Sequence, residues 1–259
     1  MIEIPAFKER HDLNVLIIDD QTLVHGLVKS ALFELGIRNV RTAENSYYAT
    51  RLCSETKFDI FLISFNVKSD KDGFHLLEEL KLKGHINKST AVIFLSAETS
   101  AALVNCVIEL QPNDFWVKPL DLKKVTERLK YVLSIKKKLH RLHYCMDKKE
   151  YASAIYIGER QLKDQTLSSY FPHIFRLIGE SLMHLREFGD AENFYRKLAE
   201  KMSFGWVKVA LANALLKQEK EQEAAELIEE LKKRQDTCFL AYDLLAQYYI
   251  EHENYPQAY

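Results

Sequence analysis

Residues 13–20 read LNVLIIDD, a short apolar, β-rich run that stops on two adjacent carboxylates, Asp19 and Asp20. Such a run suits a strand covered on both faces. Immediately after it, Gln21 to Leu35 carries Leu23, Val24, Leu27, Val28, Ala31 and Leu32 at helical spacing and halts at Gly36. The same alternation then recurs. Asn39–Ala43 is a weak strand and Ser46–Cys53 a short helix. Phe58–Ile63 (FDIFLI) is the third strand, with a helix over Phe74–Leu82. Ala91–Leu95 (AVIFL) is the fourth, followed by a helix over Ala101–Leu110. Asp114–Val117 is the fifth, and the chain is strongly helical from Leu122. Strands alternating with helices predict a parallel sheet covered on both faces. In such sheets ligands gather beyond the carboxyl ends of the strands. The residues at those ends are Asp19, Asp20, Ser64, Ser96 and Lys118.

Composition excludes several classes. The 259 residues are 47 % apolar and 28 % charged, a globular balance with room for two domains. Lys and Arg number 36 against 37 Asp and Glu. Residues 1–125 hold 15 basic and 17 acidic side chains, so neither half has a strong nucleic-acid or anionic-membrane footprint. Cys53, Cys106, Cys145 and Cys238 are widely spaced, and no basic-then-apolar leader or spanning-length apolar run occurs. The expectation is a reduced, cytoplasmic protein.

Adjacent carboxylates at a strand end can anchor a hard cation such as Mg²⁺, and a nearby lysine can neutralise a phosphoryl group. Taken singly, an Asp-Asp pair there is more often a helix cap. The order of the set gives it weight. VLIIDD at 15–20, DIFLIS at 59–64, Asp72-Gly73, VIFLSA at 92–97 and DFWVKP at 114–119 resemble the receiver domain of bacterial two-component response regulators, over about residues 13–135. The resemblance implies a flavodoxin-like five-stranded parallel sheet of order 2-1-3-4-5. It also implies Asp19 and Asp20 as the Mg²⁺-binding pair, Ser96 as the switch hydroxyl, Phe115 as the switch aromatic and Lys118 as the phosphate-pairing lysine.

One position departs from that pattern. The family's third strand ends on the aspartate that accepts phosphate; here Ser64 stands there. A serine hydroxyl is un-ionised at neutral pH and has no adjacent base in the sequence to activate it. Its presence removes one of three carboxylates and weakens any Mg²⁺ site. The expectation is a pseudo-receiver. Asp59 is expected at the opposite end of the sheet. Asp70, in a loop about one residue longer than expected, is the one candidate for a substitute acid.

The second half repeats. Phe188-x-x-Ala191 with Tyr195 and Leu198 is followed 33 residues later by Ala224, Ile228 and Leu231, and Ala258 lies 34 residues beyond Ala224. Tyr151-x-x-Ala154 starts a similar unit. Partner helices carry Ile178-Gly179-x-x-Leu182, Leu211-Ala212-x-x-Leu215 and Leu245-Ala246-x-x-Tyr249. This period resembles tetratricopeptide (TPR) repeats, which stack helical hairpins around a concave groove. A generic bundle of hairpins is the plainer alternative. The last unit is cut off at Tyr259, which leaves open whether the native chain extends further. The basic run Lys136-Lys137-Lys138-Leu139-His140-Arg141 is read as a solvated helix face in preference to an RNA-binding one, and the pattern from Leu122 to His143 as one unbroken helix. His140, His143 and Cys145 share no face suited to a metal.

These readings give an α/β receiver-like domain at 1–135 and an all-α TPR-like domain at 136–259. The expected function is a non-enzymatic signalling adaptor acting by protein–protein contact, with a homodimer possible and no nucleic acid or membrane. Its partner would dock in the repeat groove or on the Ala101–Leu110/Asp114–Val117 face. The alternative is a phosphorylatable response regulator using a non-standard acceptor acid.

Overall fold

The computed structural model describes residues 4–66, 72–98, 111–234 and 236–258. They fall into two compact units, 1–148 and 149–259.

In the first unit, β1 (Asn14–Ile18), β2 (Asn39–Ala43), β3 (Ile60–Ser64), β4 (Ala91–Ser96) and β5 (Asp114–Val117) form one sheet of order β2-β1-β3-β4-β5. All four pairings are parallel, with Ile18 beside Ala43 and Ile63, Ser64 beside Leu95, and Ser96 beside Val117. The helices are α1 (Thr22–Glu34), α2 (Ser46–Glu55), α3 (Gly73–Leu82), α4 (Leu122–Lys138) and α5 (His140–Asp147). Strand and helix bounds agree with the sequence reading to within two residues. The expected helix at 101–110 lies outside the described residues, as do Asp70 and Cys106.

Successive side chains of a strand point to opposite faces, and both faces here are dry. Val15 and Ile17 join a cluster with Val28 and Leu32 of α1 and Leu129 and Val132 of α4. Leu16 and Ile18 join another with Leu52 of α2 and Leu76 and Leu80 of α3. Burial on both faces is why β1, β3 and β4 read as continuous apolar runs.

Two expectations need correction. The helix begun at Leu122 is not continuous to His143: Leu139, fully buried, leaves helical geometry (φ −96°, ψ 9°) and separates α4 from α5. Lys136 is not on a solvated face. It is 5 % exposed, and its ammonium donates to the carbonyls of Lys88 (2.8 Å) and Thr90 (2.7 Å). The spacing Leu129, Val132, Leu133, Lys136 follows the buried stripe of α4, a signal that the adjacent lysines obscured.

The division between the units falls at 148/149 rather than 135/136. Asp147 at the end of α5 accepts from the backbone N–H groups of Lys88 (2.7 Å) and Ser89 (3.0 Å), and His140 Nε2 donates to the Pro5 carbonyl (2.8 Å). These bonds hold α5 to the 88–89 segment that leads into β4 and to the amino-terminal segment, and Lys136 ties the end of α4 to the same 88–90 segment.

The second unit is helical: α6 (Tyr151–Gln161), α7 (Phe171–His184), α8 (Phe188–Lys201), α9 (Gly205–Leu216), α10 (Glu221–Lys232), α11 (Cys238–Glu251) and α12 (Tyr255–Ala258). Each packs on the next, and α9 also meets α11. Ala191, Tyr195 and Leu198 share a core with Leu211, Ala212, Leu215, Ala224, Ile228 and Leu231. Small residues sit where helices touch. A Cβ on Gly179 would lie 2.3 Å from the Tyr195 hydroxyl, and one on Gly158 would lie 2.7 Å from Ile178. A buried carboxylate ties consecutive hairpins together. Glu192 accepts from Arg196 (2.8 Å), Gln218 (2.9 Å) and Lys220 (2.6 Å). No helix among the described residues is long and apolar enough to cross a membrane.

Candidate functional site

The carboxyl ends of β1, β3 and β5 meet in one crevice. Asp19, fully buried, follows β1 and is held from three directions. Its N–H donates to Ala43 across the sheet, its Oδ1 accepts from the N–H of Gln21 (2.9 Å), and its carbonyl accepts from His25 Nε2 (2.7 Å). A carbonyl can only accept, so His25 carries a proton on Nε2. Sequence reasoning missed His25; as a polar residue beside Val24 and Val28 on the buried face of α1, it could have been noticed.

Lys118 follows β5, its N–H donating to the Ser96 carbonyl (2.8 Å). Its side chain, only 10 % exposed, places Nζ 2.7 Å from Asp19 Oδ2, an ion-pair contact without hydrogen-bond alignment. The same Nζ donates to Ser64 Oγ at 3.2 Å. Ser64, 1 % exposed, ends β3. Its carbonyl is in close contact with α3, since a Cβ on Gly73 would lie 2.2 Å from that oxygen, and Gly73 N–H donates to the Phe65 carbonyl (2.8 Å). Only glycine fits there. Asp72 before it accepts from the N–H of His75 (2.9 Å) and caps α3.

The crevice thus unites Asp19, Lys118 and Ser64, with Asp20 half-buried beside Asp19 in sequence. Two other expected members are engaged elsewhere. Ser96 Oγ donates to the Glu98 carbonyl and accepts from the Glu98 N–H, both at 2.9 Å. Phe115 is half-buried against the cluster of the α2/α3 face. Asp59 lies at the far end of the sheet, where it accepts from Lys8 (2.8 Å) and from the N–H of Asn14 (2.9 Å).

As a home for Mg²⁺ this donor set fits poorly. Of the carboxylate oxygens of Asp19, one accepts a backbone N–H and the other faces an ammonium, while Ser64 offers only a neutral hydroxyl that already accepts from that ammonium. No group of three or more His, Cys, Asp or Glu side chains able to hold a metal occurs among the described residues.

Comparison with known proteins matches residues 15–130 to the response regulator receiver domain. A probable chemotaxis protein CheY of Rhizobium etli is 27 % identical over 120 residues, 46 % of this chain and 92 % of the relative. The chemotaxis protein CheY of Bacillus subtilis is 28 % identical over 120 residues, 46 % and 97 % of the two chains. Among solved structures, the chemotaxis response regulator CheY4 of Vibrio cholerae aligns at 22 % identity and a TM-score of 0.42, covering 46 % of this chain and 98 % of that one. A response regulator from Thermotoga maritima aligns at 24 % identity and a TM-score of 0.41, covering 47 % and 98 %. The matched residues hold the parallel strands in the order 2-1-3-4-5, and an acidic strand end faces a lysine across the crevice. Residues 15–130 of the chain are a CheY-like response regulator receiver domain.

Proposed function

We propose that this chain is a cytoplasmic, non-enzymatic signalling adaptor, a pseudo-receiver joined to TPR-like repeats, in which Ser64 stands where a phosphoacceptor aspartate would. The observation that carries the reading is the contact of Lys118 with both Asp19 and Ser64. A lysine placed to neutralise a phosphoryl group is already neutralised by Asp19, and the strand-end oxygen beside it is a hydroxyl without a base. A receiver signals by populating a second conformation when its acceptor is phosphorylated; without that step, the domain keeps its surface and loses its chemical input. Mg²⁺ then binds weakly at Asp19 and Asp20.

Output in this reading passes by protein contact. Ala191, Tyr195, Ala224 and Ile228 fill the buried positions that a hairpin repeat of this period requires, which supports TPR-like stacking and a groove for a peptide or partner helix. Val117, 44 % exposed on β5, supports the second docking face.

The test is intact-mass measurement after incubation with Mg²⁺ and a small-molecule phosphodonor. The wild-type chain is expected to remain unmodified. A stoichiometric phosphoryl adduct overturns the proposal and assigns an acceptor elsewhere, with Asp70 the first position to substitute.

A further inference from the structure

At the amino ends of β3 and β4, opposite the Asp19 crevice, the first unit contains a cavity of about 360 Å³. Its walls include Phe7, Leu13, Phe58, Ile60, Leu133 and Tyr144, and Lys136 lines it. The volume lies in the range of small-ligand sites, which combine apolar walls with a few fixed polar groups.

The polar groups have one sign to spare. Asp59 is met by Lys8 and the N–H of Asn14, and Asp147 by the N–H groups of Lys88 and Ser89. Lys136 forms no ion pair among the described residues; its ammonium rests on two carbonyl oxygens, which take two of its three hydrogens. Burial pushes it down to about 7, against the opposing pull of the Asp147 carboxylate, which makes no direct ion pair with it. Lys57 and Lys148 also line the cavity.

We propose that this cavity binds a small amphipathic carboxylate, its apolar body between Phe7, Phe58, Leu133 and Tyr144 and its carboxylate on the third hydrogen of Lys136. The ligand supplies an anion in direct hydrogen-bond contact, where the buried ammonium now meets only carbonyl oxygens. Occupancy presses on α5 and on the 88–91 segment, so it stabilises the first unit independently of the Asp19–Lys118–Ser64 crevice.

The probe is octanoate, with octan-1-ol and octylamine as its uncharged and cationic counterparts, titrated into the full chain and followed by amide NMR shifts. Octanoate is expected to shift the amides of 133–147 and 88–91, and to bind roughly tenfold or more tightly than octan-1-ol, the worth of one charge-assisted hydrogen bond. Octylamine binds more weakly than either. In Lys136→Met the preference for octanoate over octan-1-ol disappears. Ala6→Trp, a change on the exposed amino-terminal segment that lines the cavity, blocks both probes. Octan-1-ol binding as well as octanoate, shifts confined to other regions, or no saturable binding of octanoate overturns the proposal. The comparison of probes on the unaltered chain decides it even if Lys136→Met fails to fold.

Discussion

Replacing Ser64 with Asp is the sharpest perturbation of the crevice. Ser64 Oγ and Asp19 Oδ2 both touch Lys118 Nζ, at 3.2 and 2.7 Å. A new carboxylate therefore stands within about 6 Å of Asp19, and at an effective dielectric of about 20 the two repel by ~3 kcal/mol. Attraction to Lys118 offsets much of this, but that one cation would then serve two carboxylates in a site where Asp19 and Ser64 are 0 % and 1 % exposed. Without metal, a net loss of about 1–2 kcal/mol is expected after the desolvation of the new charge. In a unit of 148 residues that lowers the melting temperature by roughly 3–6 °C. Mg²⁺ should reverse the loss, because the third carboxylate restores an oxygen donor set; at a free concentration of about 100 Kd the recovery is ~2.7 kcal/mol. The assay is differential scanning calorimetry of wild type and S64D with and without Mg²⁺. If S64D melts with the wild type and ignores Mg²⁺, Ser64 does not face the acidic strand end. If the wild type gains as much from Mg²⁺ as S64D, the missing carboxylate is not what weakens the site.

Three further outcomes follow from particular contacts. Gly73→Ala drives a Cβ into the Ser64 carbonyl and should cost about 1–3 kcal/mol, read as a lower denaturant midpoint with an unchanged m value. Hydrogen bonds led by Lys220 hold the Glu192 carboxyl down to about 2 against an ordinary 4.5, so its stabilisation is complete above about pH 4.5 and drains away as pH falls towards 2. Glu192→Gln should cost about 1–2 kcal/mol at neutral pH and flatten that acid limb of the stability profile. Lys136, pushed down to about 7 against 10.5, takes up a proton on unfolding between those values, so stability should rise with pH across that window. The carbonyl bonds to its ammonium oppose the shift and limit the rise to about 1–2 kcal/mol. Lys136→Met should abolish that rise in urea titrations.

Local patterning by itself determined much of this protein. LNVLIIDD and its successors pointed to an α/β sheet, because short β-rich apolar runs alternating with helical segments suit strands buried on both faces. The spacing of Ala191, Tyr195, Ala224 and Ile228 likewise dictated buried stripes on paired helices. These are properties of short windows, and the windows carry them. What depended on side chains distant in sequence was settled only by the fold. Lys118 meets Asp19 and Ser64 because three strand ends converge, whereas Ser96, placed as favourably in sequence, closes on Glu98. The helix from Leu122 breaks at Leu139, although no glycine or proline marks the place. Lys136, in a run of lysines that reads as solvated, is drawn inward by carbonyls contributed from residues 88 and 90. Sequence periodicity reports which face of an element is apolar; it does not report which backbone groups of another element will be there to receive a charge.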